Sequence, residues 1–348
     1  MTPRGYAIAC ALASAALFGA STPFAKLLLG DVSPWLLAAI LYLGSGLGLA
    51  VWLALRPRAQ RPAPIASHDW PWLAAAIACG GVIGPVLLMY GLAQTDAGSA
   101  ALLLNLEAVL TAVIAWTAFR ENVERRVFAG LLAIVAGGML LAWEQAPRAG
   151  SLAGPLLVAA ACLAWAIDNN LTRRVSGGDA VFIACLKGLV AGGINLALAL
   201  AAGAALPPAG AVAAAALLGL LGYGVSLVLF ILALRALGTA RTGAYFSVAP
   251  FFGAALALAL LAERPDALFW IAAALMALGV WLHVTERHEH RHAHQALEHS
   301  HAHVHDAHHR HAHDFPWDGG EPHAHRHRHE PLVHTHPHDP DLHHRHRH

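Results

Sequence analysis

The feature that most constrains this chain is a succession of apolar runs, each about as long as a bilayer is thick. A hydrocarbon core of about 30 Å needs about 20 residues of α-helix to cross it. Ten runs fit that template, and they cover residues 6–29, 34–55, 70–92, 98–119, 126–143, 151–171, 179–201, 212–234, 240–262 and 267–285. The sequence therefore predicts an all-α polytopic membrane protein with ten transmembrane helices.

Composition also favours a membrane protein, and it argues against a soluble domain and a nucleic-acid-binding protein. Hydrophobic residues make up 57% of the chain and charged residues 12%, which is far from the balance of soluble domains. A net charge of +1 carries no signal for nucleic-acid binding. The four cysteines lie inside apolar runs without a Cys-x-x-Cys pair, so we expect buried thiols rather than a disulfide framework.

Two stretches of the chain, 90–121 and 232–263, share the same order of features. Each consists of a short apolar helix end, a tight polar turn, a long apolar run and a closing glutamate. Set 142 residues apart, the stretches align without a gap, and Glu121 falls on Glu263. This alignment indicates two copies of one membrane unit with five spans each.

The two copies divide the chain into a first repeat at 1–145, a second repeat at 146–286 and a polar tail at 287–348. Because each repeat has an odd number of spans, the second copy enters the membrane the opposite way up. Inverted repeats usually hold a substrate site near the midplane, between halves that rock for alternating access. We therefore expect two inverted five-helix repeats around a central site.

Basic residues in the short loops predict the orientation, because cytoplasmic loops carry an excess of them. One set of helix ends carries only Arg148 and Arg264. The opposite set carries Arg4, Arg56, Arg58, Arg61, Arg120, Arg125, Arg126, Arg173, Arg174, Arg235 and Arg241. We therefore expect both termini, including the tail, to be cytoplasmic. The Ala-rich composition suggests a bacterial source, and hence the inner membrane.

Two segments carry the repeat pattern in detail, YGLAQTDAGSAALLLNLEAVLTAVIAW (90–116) and LALRALGTARTGAYFSVAPFFGAALALALLAERP (232–265). The apolar runs close in FRENV (119–123) and LAERP (261–265). Together with ten spans in two repeats, this pattern resembles the EamA-type members of the drug/metabolite transporter superfamily over about residues 5–285.

The resemblance implies a secondary transporter, usually an exporter of amino acids, metabolites or drugs, with a central cavity between the halves. One position departs from the family pattern. The second copy has Pro250 in mid-span, as the family leads one to expect, whereas the first copy has Glu107–Ala108 there.

Glu107 is the main candidate for a functional residue. It lies about nine residues into its span, about 14 Å deep and near the bilayer centre. An ionisable group at that depth normally faces a cavity or a partner. We expect a substrate or coupling residue, with a structural ion pair or a hydrogen bond to Asn105 as the alternatives.

Lys187 lies about eight residues into the seventh span. It could neutralise Glu107 or bind an anionic substrate group, and snorkelling to the inner headgroups is the other alternative.

Asp168, Asn169 and Asn170 form a polar cluster near the inner end of the sixth span, and Ser21–Pro23 are its repeat counterparts in the first. For Asp168, a substrate role and pairing with the nearby arginines at the helix end stay open.

The remaining candidates inside the spans are weaker. Asn195, Tyr245, Ser247 and Lys26 are further cavity candidates, and Lys26 could instead snorkel. Pro23, Pro85 and Pro250 interrupt the backbone ladder and are hinge candidates. The closing glutamates, Glu121 and Glu263, are expected to pair with neighbouring arginines.

The tail repeats the pattern His-x-His from residue 288 onward. Because it has almost no aliphatic content, we expect it to be disordered. Neutral imidazole suits Zn, Ni, Co and Cu(II), and the candidate ligands are His288, His290, His292, His294, His299, His301, His303, His305, His323, His325, His327 and His329. A physiological metal role, a functionless expansion and a pH-responsive polycation stay open.

These features favour a transporter of a small-molecule solute that needs no cofactor, rather than an enzyme. Neither a nucleophile–base set nor a phosphate-cradling loop is visible in the sequence. Two rival hypotheses follow from the tail. The first is an exporter of divalent Zn, Ni or Co fed by the tail, and the second is a metal buffer or sensor merely anchored in the membrane.

Overall fold

The computed structural model describes residues 3–57, 65, 67–119, 125–149, 152–176, 178–285, 289–294, 297–303, 323–329 and 332–337. Contacts divide the chain into two compact units. The helical unit lies within Met1–Glu286, and the other unit is Arg287–Asp339.

The first repeat is helical from its start. Its helices are α1 (Pro3–Leu28), α2 (Pro34–Leu55), α3 (Trp70–Ala76), α4 (Gly84–Ala93), α5 (Ala97–Leu103), α6 (Leu106–Phe119) and α7 (Arg125–Ala149). A 3₁₀ turn at Ser67–Asp69 precedes α3, and a π-helical segment at Ile77–Ile83 joins α3 to α4. The third predicted span is thus continuous, while the fourth is divided into α5 and α6.

The second repeat follows the same plan. Its helices are α8 (Ala153–Val175), α9 (Ala180–Ala201), α10 (Ala209–Gly219), α11 (Ser226–Phe246), α12 (Ala249–Leu261) and α13 (Ala267–Val284). A π-helical segment at Leu220–Val225 joins α10 to α11. Helix α11 continues past the predicted boundary between the eighth and ninth spans.

The predicted all-α architecture is confirmed. Within the described residues, eight helical segments are long and apolar enough to cross a membrane, judged by length and composition. The fifth and tenth predicted spans correspond to the shorter apolar segments Phe128–Trp143 and Ala267–Leu282.

The two repeats carry their irregularities at matching positions. The π-helical segments Ile77–Ile83 and Leu220–Val225 overlap when the copies are set 142 residues apart. The helix breaks of the fourth and ninth spans also coincide, because Asn105 then falls on Ser247. A π-bulge or a helix break leaves backbone groups without their regular partners. Both repeats therefore carry such groups at equivalent positions of their spans.

Equivalent spans of the two repeats pack against each other. Helix α2 packs on α9, α7 on α13, and α5 on α12. The exchange is also reciprocal, since α1 packs against α11 and α12 while α8 packs against α4 and α6. This arrangement is what inverted repeats produce, and it puts α1, α2, α6, α8, α9 and α11 around the centre of the unit.

Glycines allow the second span to approach α10 of the other repeat closely. A Cβ atom added at Gly44 would overlap the backbone of Ala216, and one added at Gly219 would overlap the backbone of Leu41. Small residues at helix crossings permit this close packing in membranes, where dispersion contacts replace the hydrophobic effect.

The unit Arg287–Asp339 contains four short strands, described by their backbone. They are β1 (Glu289–His294), β2 (Leu297–His303), β3 (His323–His329) and β4 (Leu332–Pro337). Strand β1 pairs antiparallel with β4, and β2 pairs antiparallel with β3. The sequence predicts disorder for the tail, whereas these parts of it are extended. The His-x-His alternation has the two-residue period of a strand, which fits this conformation.

Replacing Gly219 by alanine should destabilise the protein. The added methyl group has no space against the Leu41 backbone, and overpacking of this kind costs about 1–3 kcal/mol. The measurement is the midpoint of thermal unfolding in detergent, followed by size-exclusion chromatography. Gly193→Ala is the matched control, because no atom lies within 4 Å of the added Cβ. Equal midpoints for the two variants would contradict the close packing of α2 on α10.

Candidate functional site

A cavity lies where the central helices of the two repeats meet. It measures about 520 Å³, counting the part that is open to solvent. Its lining residues are Ser14, Phe18, Tyr42, Glu107, Trp165, Asp168, Asn169, Lys187, Gly222, Tyr223, Ser226, Leu227, Phe230 and Phe246. The cavity thus draws on both repeats and on the π-helical segment between α10 and α11.

Lys187 and Asp168 form a buried ion pair at one wall of the cavity. Lys187 Nζ donates to both carboxylate oxygens of Asp168, at 2.6 and 2.7 Å. It also donates to Thr172 Oγ1 at 3.1 Å, and Thr172 Oγ1 donates to Asp168 Oδ1 at 2.8 Å. Thr172 lies one turn after Asp168 on α8, so a single helix face presents both partners to α9.

This pair differs from the partners considered in the sequence analysis. Lys187 is only 2% exposed, so it does not snorkel, and its described contacts are with Asp168 and Thr172 rather than with Glu107. Asp168 likewise pairs with Lys187 instead of the arginines at the end of α8. Depth along a span could not reveal which faces of α8 and α9 meet.

Glu107 projects into the cavity from the first turn of α6. The break after Leu104 starts this helix in mid-span, and a carboxylate in the first turn is favoured by the helix dipole. Asn169 Nδ2 donates to Glu107 Oε1 at 2.7 Å. The expected alternative partner, Asn105, instead donates to Leu102 O and contacts Met276 Sδ.

The π-helical segment of the first repeat supplies a carbonyl that orients two aromatic rings of the cavity. Tyr42 Oη and Trp165 Nε1 both donate to Gly80 O, at 2.7 and 2.9 Å. A side chain at Gly80 would overlap the carboxylate of Asp168. Glycine is therefore required for the ion pair to lie against this segment.

The second repeat reproduces the contact with different chemistry. A Cβ atom added at Gly222 would meet the side chain of Ser21, and Gly222 and Ser21 are the repeat counterparts of Gly80 and Asp168. Nearby, Ser14 Oγ donates to Ser226 O at 2.7 Å and Ser226 Oγ donates to Ser14 O at 2.9 Å. The contact is thus repeated in both halves, whereas only Asp168 of the matched pair Asp168 and Ser21 is charged.

Aromatic rings form most of the remaining wall. The ring of Phe18 lies 5.7 Å from Trp165, 5.7 Å from Tyr223 and 5.5 Å from Phe246, between centroids. The Phe230 ring lies 5.0 Å from Phe246. The cavity therefore combines an aromatic wall with a small number of charged groups, as ligand sites commonly do.

Four of the nine predicted solute or coupling residues line the cavity, namely Glu107, Lys187, Asp168 and Asn169. The others do not belong to its lining. Asn195 donates to Gly81 O and accepts from Trp35 Nε1, while Ser247 Oγ donates to Gly243 O. Tyr245 lies in the last turn of α11.

Lys26 and Glu263 connect helix ends near the start of α5. Lys26 Nζ donates to Leu92 O at 2.6 Å and to Thr95 O at 2.8 Å. Glu263 accepts from the backbone N–H groups of Ala97 and Gly98, at 2.8 and 2.9 Å. Glu263 therefore caps α5 instead of pairing with a neighbouring arginine as predicted. Its counterpart Glu121 lies outside the described residues.

The hinge candidates occupy two different settings. Pro85 and Pro250 stand in the first turns of α4 and α12, directly after the π-helical segment and the helix break. Pro23 lies inside α1, which continues to Leu28. Pro85 and Pro250 thus accompany interruptions of the helical ladder, and Pro23 does not.

The side chains of the predicted metal ligands in the tail are outside what the structure describes. His288 and His305 lie outside the described residues, and the other ten are described by backbone alone. Among the side chains that the structure does describe, no group of three or more His, Cys, Asp or Glu residues is arranged to hold a metal ion.

Sequence reasoning missed the aromatic wall, namely Phe18, Tyr42, Trp165, Tyr223, Phe230 and Phe246. One signal was present, because Phe18 and Trp165 occupy matching positions in the first span of each repeat. Aromatic residues in an apolar run otherwise look the same whether they face lipid, core or cavity.

Replacing Lys187 by glutamine should destabilise the protein by about 3–5 kcal/mol, because it leaves Asp168 as an uncompensated buried charge. Adding Asp168→Asn should recover much of this loss. Arg56→Gln is the control, since its pair with Asp179 is partly exposed and such pairs contribute about 0–1 kcal/mol. Thermal unfolding in detergent is measured for the wild type, for Lys187→Gln and Asp168→Asn alone, for their double variant and for Arg56→Gln. A double variant as unstable as the sum of its single variants would contradict the pairing.

Known proteins resemble this chain over different lengths. One relative matches most of the chain, and others match a short part of it. An uncharacterized transporter of Methanothermobacter thermautotrophicus is 27% identical over 281 residues, covering 76% of this chain and 82% of that protein. A probable 4-amino-4-deoxy-L-arabinose-phosphoundecaprenol flippase subunit ArnE of Pseudomonas paraeruginosa is 46% identical over 72 residues, covering 21% of this chain and 60% of the subunit. The corresponding subunit of Pseudomonas aeruginosa is 44% identical over 72 residues.

A solved crystal structure shares the fold. It superposes with a TM-score of 0.61 at 20% sequence identity, covering 81% of this chain and 98% of the other. The model of the EamA-like transporter family matches residues 5–143 and 152–285, which are the two repeats. The chain therefore belongs to the EamA-like transporter family and is a multi-pass membrane protein.

Proposed function

We propose that this protein is a secondary transporter that exports a small organic solute by alternating access through the central cavity. The observation that carries the proposal is the position of the cavity. It lies at the junction of two inverted repeats, and buried charged groups line it. A site shared by two halves changes its access when the halves rock against each other.

Two sets of polar contacts lie on either side of the cavity along the spans. At one end, Glu263 caps α5 and Lys26 bonds to the loop before it. At the other end, Arg56 pairs with Asp179 at 2.7 Å, and Arg235 donates to Ser176 O and Gly178 O. Alternating access requires one set to loosen while the other holds. In this proposal Glu107, which lines the cavity between the two sets, is the substrate or coupling residue.

The relatives support this class of function at a coarser level. One relative is named as a transporter, and the partial relatives are named as subunits of a flippase for a lipid-linked amino sugar. Both names describe movement of a solute or lipid across a membrane. The exported solute and the direction of transport are part of our proposal.

We also propose the bacterial inner membrane as the location, with both termini in the cytoplasm. The distribution of arginines, which favours one set of helix ends, supports this orientation, and the Ala-rich composition supports a bacterial source. The helix ends at Arg56 and Arg173, together with Arg235 inside α11, would then face the cytoplasm.

Filling the cavity should abolish transport without preventing folding. Ser226→Trp places a large ring in the lining, whereas Leu198→Trp adds the same ring at an exposed apolar position of α9. Untargeted analysis of the growth medium should reveal solutes whose extracellular amount rises in cells with the wild-type protein or Leu198→Trp, but not with Ser226→Trp. The same solute release from Ser226→Trp cells, at equal protein level, would contradict transport through the cavity.

A second role is favoured by the His-x-His pattern, and we propose that the tail binds Zn, Ni, Co or Cu as an appendage to the transporter. Cell-associated Zn, Ni and Co should then fall when the chain ends at Arg287 and stay unchanged in Glu107→Gln. Equal metal in cells with the full and shortened chains would contradict metal binding by the tail. Increased cellular metal in both variants would instead make the metal the exported solute.

A further inference from the structure

The charges in the cavity do not balance. Glu107 and Asp168 are acidic and Lys187 is the basic residue among its lining side chains. Because Lys187 is paired with Asp168, the carboxylate of Glu107 has only the amide of Asn169 as a described partner. A buried carboxylate without a cation is costly. The site is therefore complementary to one positive charge.

The cationic donor of the cavity is fully occupied. A lysine ammonium has three N–H donors, and those of Lys187 have three acceptors, which are the two oxygens of Asp168 and the hydroxyl of Thr172. A carboxylate or phosphate on a solute would thus find no free cation there. It would also face the negative charge of Glu107.

Other donors in the lining are also engaged. Tyr42 and Trp165 both donate to Gly80 O, and Ser14 and Ser226 donate to each other's backbone carbonyls. A solute rich in hydrogen-bond acceptors would leave many of them unsatisfied, which costs affinity. A solute that brings its own donors fits the site better.

The walls suit the body of such a solute. Rings of Phe18, Tyr223, Phe230 and Phe246 lie 5.0–5.5 Å from their nearest aromatic neighbours. Aromatic surfaces bury apolar groups and also attract cations.

We infer that the cavity takes a small organic cation, namely a protonated amine on an aromatic or apolar body, with Glu107 as its counter-ion. This inference rests on the proposed function, because it assumes that the cavity is the solute site. Asn169 is a positioning residue that holds one oxygen of Glu107 and leaves the carboxylate charge for the amine. Zwitterionic amino acids and organic anions are disfavoured.

The test measures equilibrium binding to the purified full chain in detergent. The probe is radiolabelled 2-phenylethylamine, with L-phenylalanine and 3-phenylpropionate as zwitterionic and anionic competitors of the same body. We expect saturable amine binding that neither competitor displaces at tenfold excess. Glu107→Gln should weaken binding by about 10- to 100-fold, as for loss of a charge-assisted hydrogen bond. Asp31→Asn, at an exposed loop position, should leave it unchanged.

Several outcomes would overturn the inference. They are no binding of the amine, tighter binding of either competitor, and amine binding that Glu107→Gln does not weaken. Measurements on Ser226→Trp distinguish failure of the amine inference from failure of the proposed function. If L-phenylalanine binds instead and Ser226→Trp abolishes that binding, the cavity remains the solute site and only the amine is wrong. If Ser226→Trp leaves both probe binding and solute release intact, the cavity is not the site.

Discussion

Inside a bilayer every backbone polar group must find its partner within the protein, and this constraint explains where the candidate site lies. Regular helices satisfy the requirement by themselves, but the π-helical segments and the helix breaks do not. Side chains from neighbouring spans complete them. Tyr42 and Trp165 donate to Gly80 O, and Asn195 donates to Gly81 O. The irregular segments thereby gather polar side chains at mid-depth, where a solute site is needed.

Inverted repetition duplicates this scaffold, but the chemistry is carried by only one of the two matched positions. Glu107 aligns with Ala249, and Asp168 aligns with Ser21. Both acidic residues line one cavity together with Lys187. In the proposed mechanism, the repeats supply a symmetric frame that rocks, and the charged residues set the preference for a particular kind of solute. Such asymmetry is expected if the frame serves movement and the substituted positions serve recognition.

Much of the fold could be predicted from the sequence, because run length and the spacing of repeated segments are one-dimensional signals. The ten spans and two repeats followed from them. Ionisable residues in apolar runs also marked Glu107, Lys187 and Asp168, since such residues are rarely tolerated without a purpose. Their partners could not be predicted, because position along a span does not determine which helix faces meet.

Position along a span also could not reveal the contacts of Glu263 or the aromatic wall of the cavity. Glu263 stands beside an arginine in the sequence, yet the left-handed turn at Ala262 ends α12 and places Glu263 against the backbone N–H groups of α5. The aromatic wall was missed because aromatic residues of an apolar run carry no mark of the face they occupy. Tertiary contacts between distant spans decide both cases.

The central claim is that the cavity holds a cationic solute against Glu107. It is tested most directly by an experimental structure of the full chain with 4-bromophenethylamine, located by the anomalous signal of bromine. The account predicts a bromine peak among the aromatic rings of the cavity and the amine nitrogen about 2.7–2.9 Å from a carboxylate oxygen of Glu107. A bromine peak confined to other sites, or an amine directed away from Glu107, would contradict it.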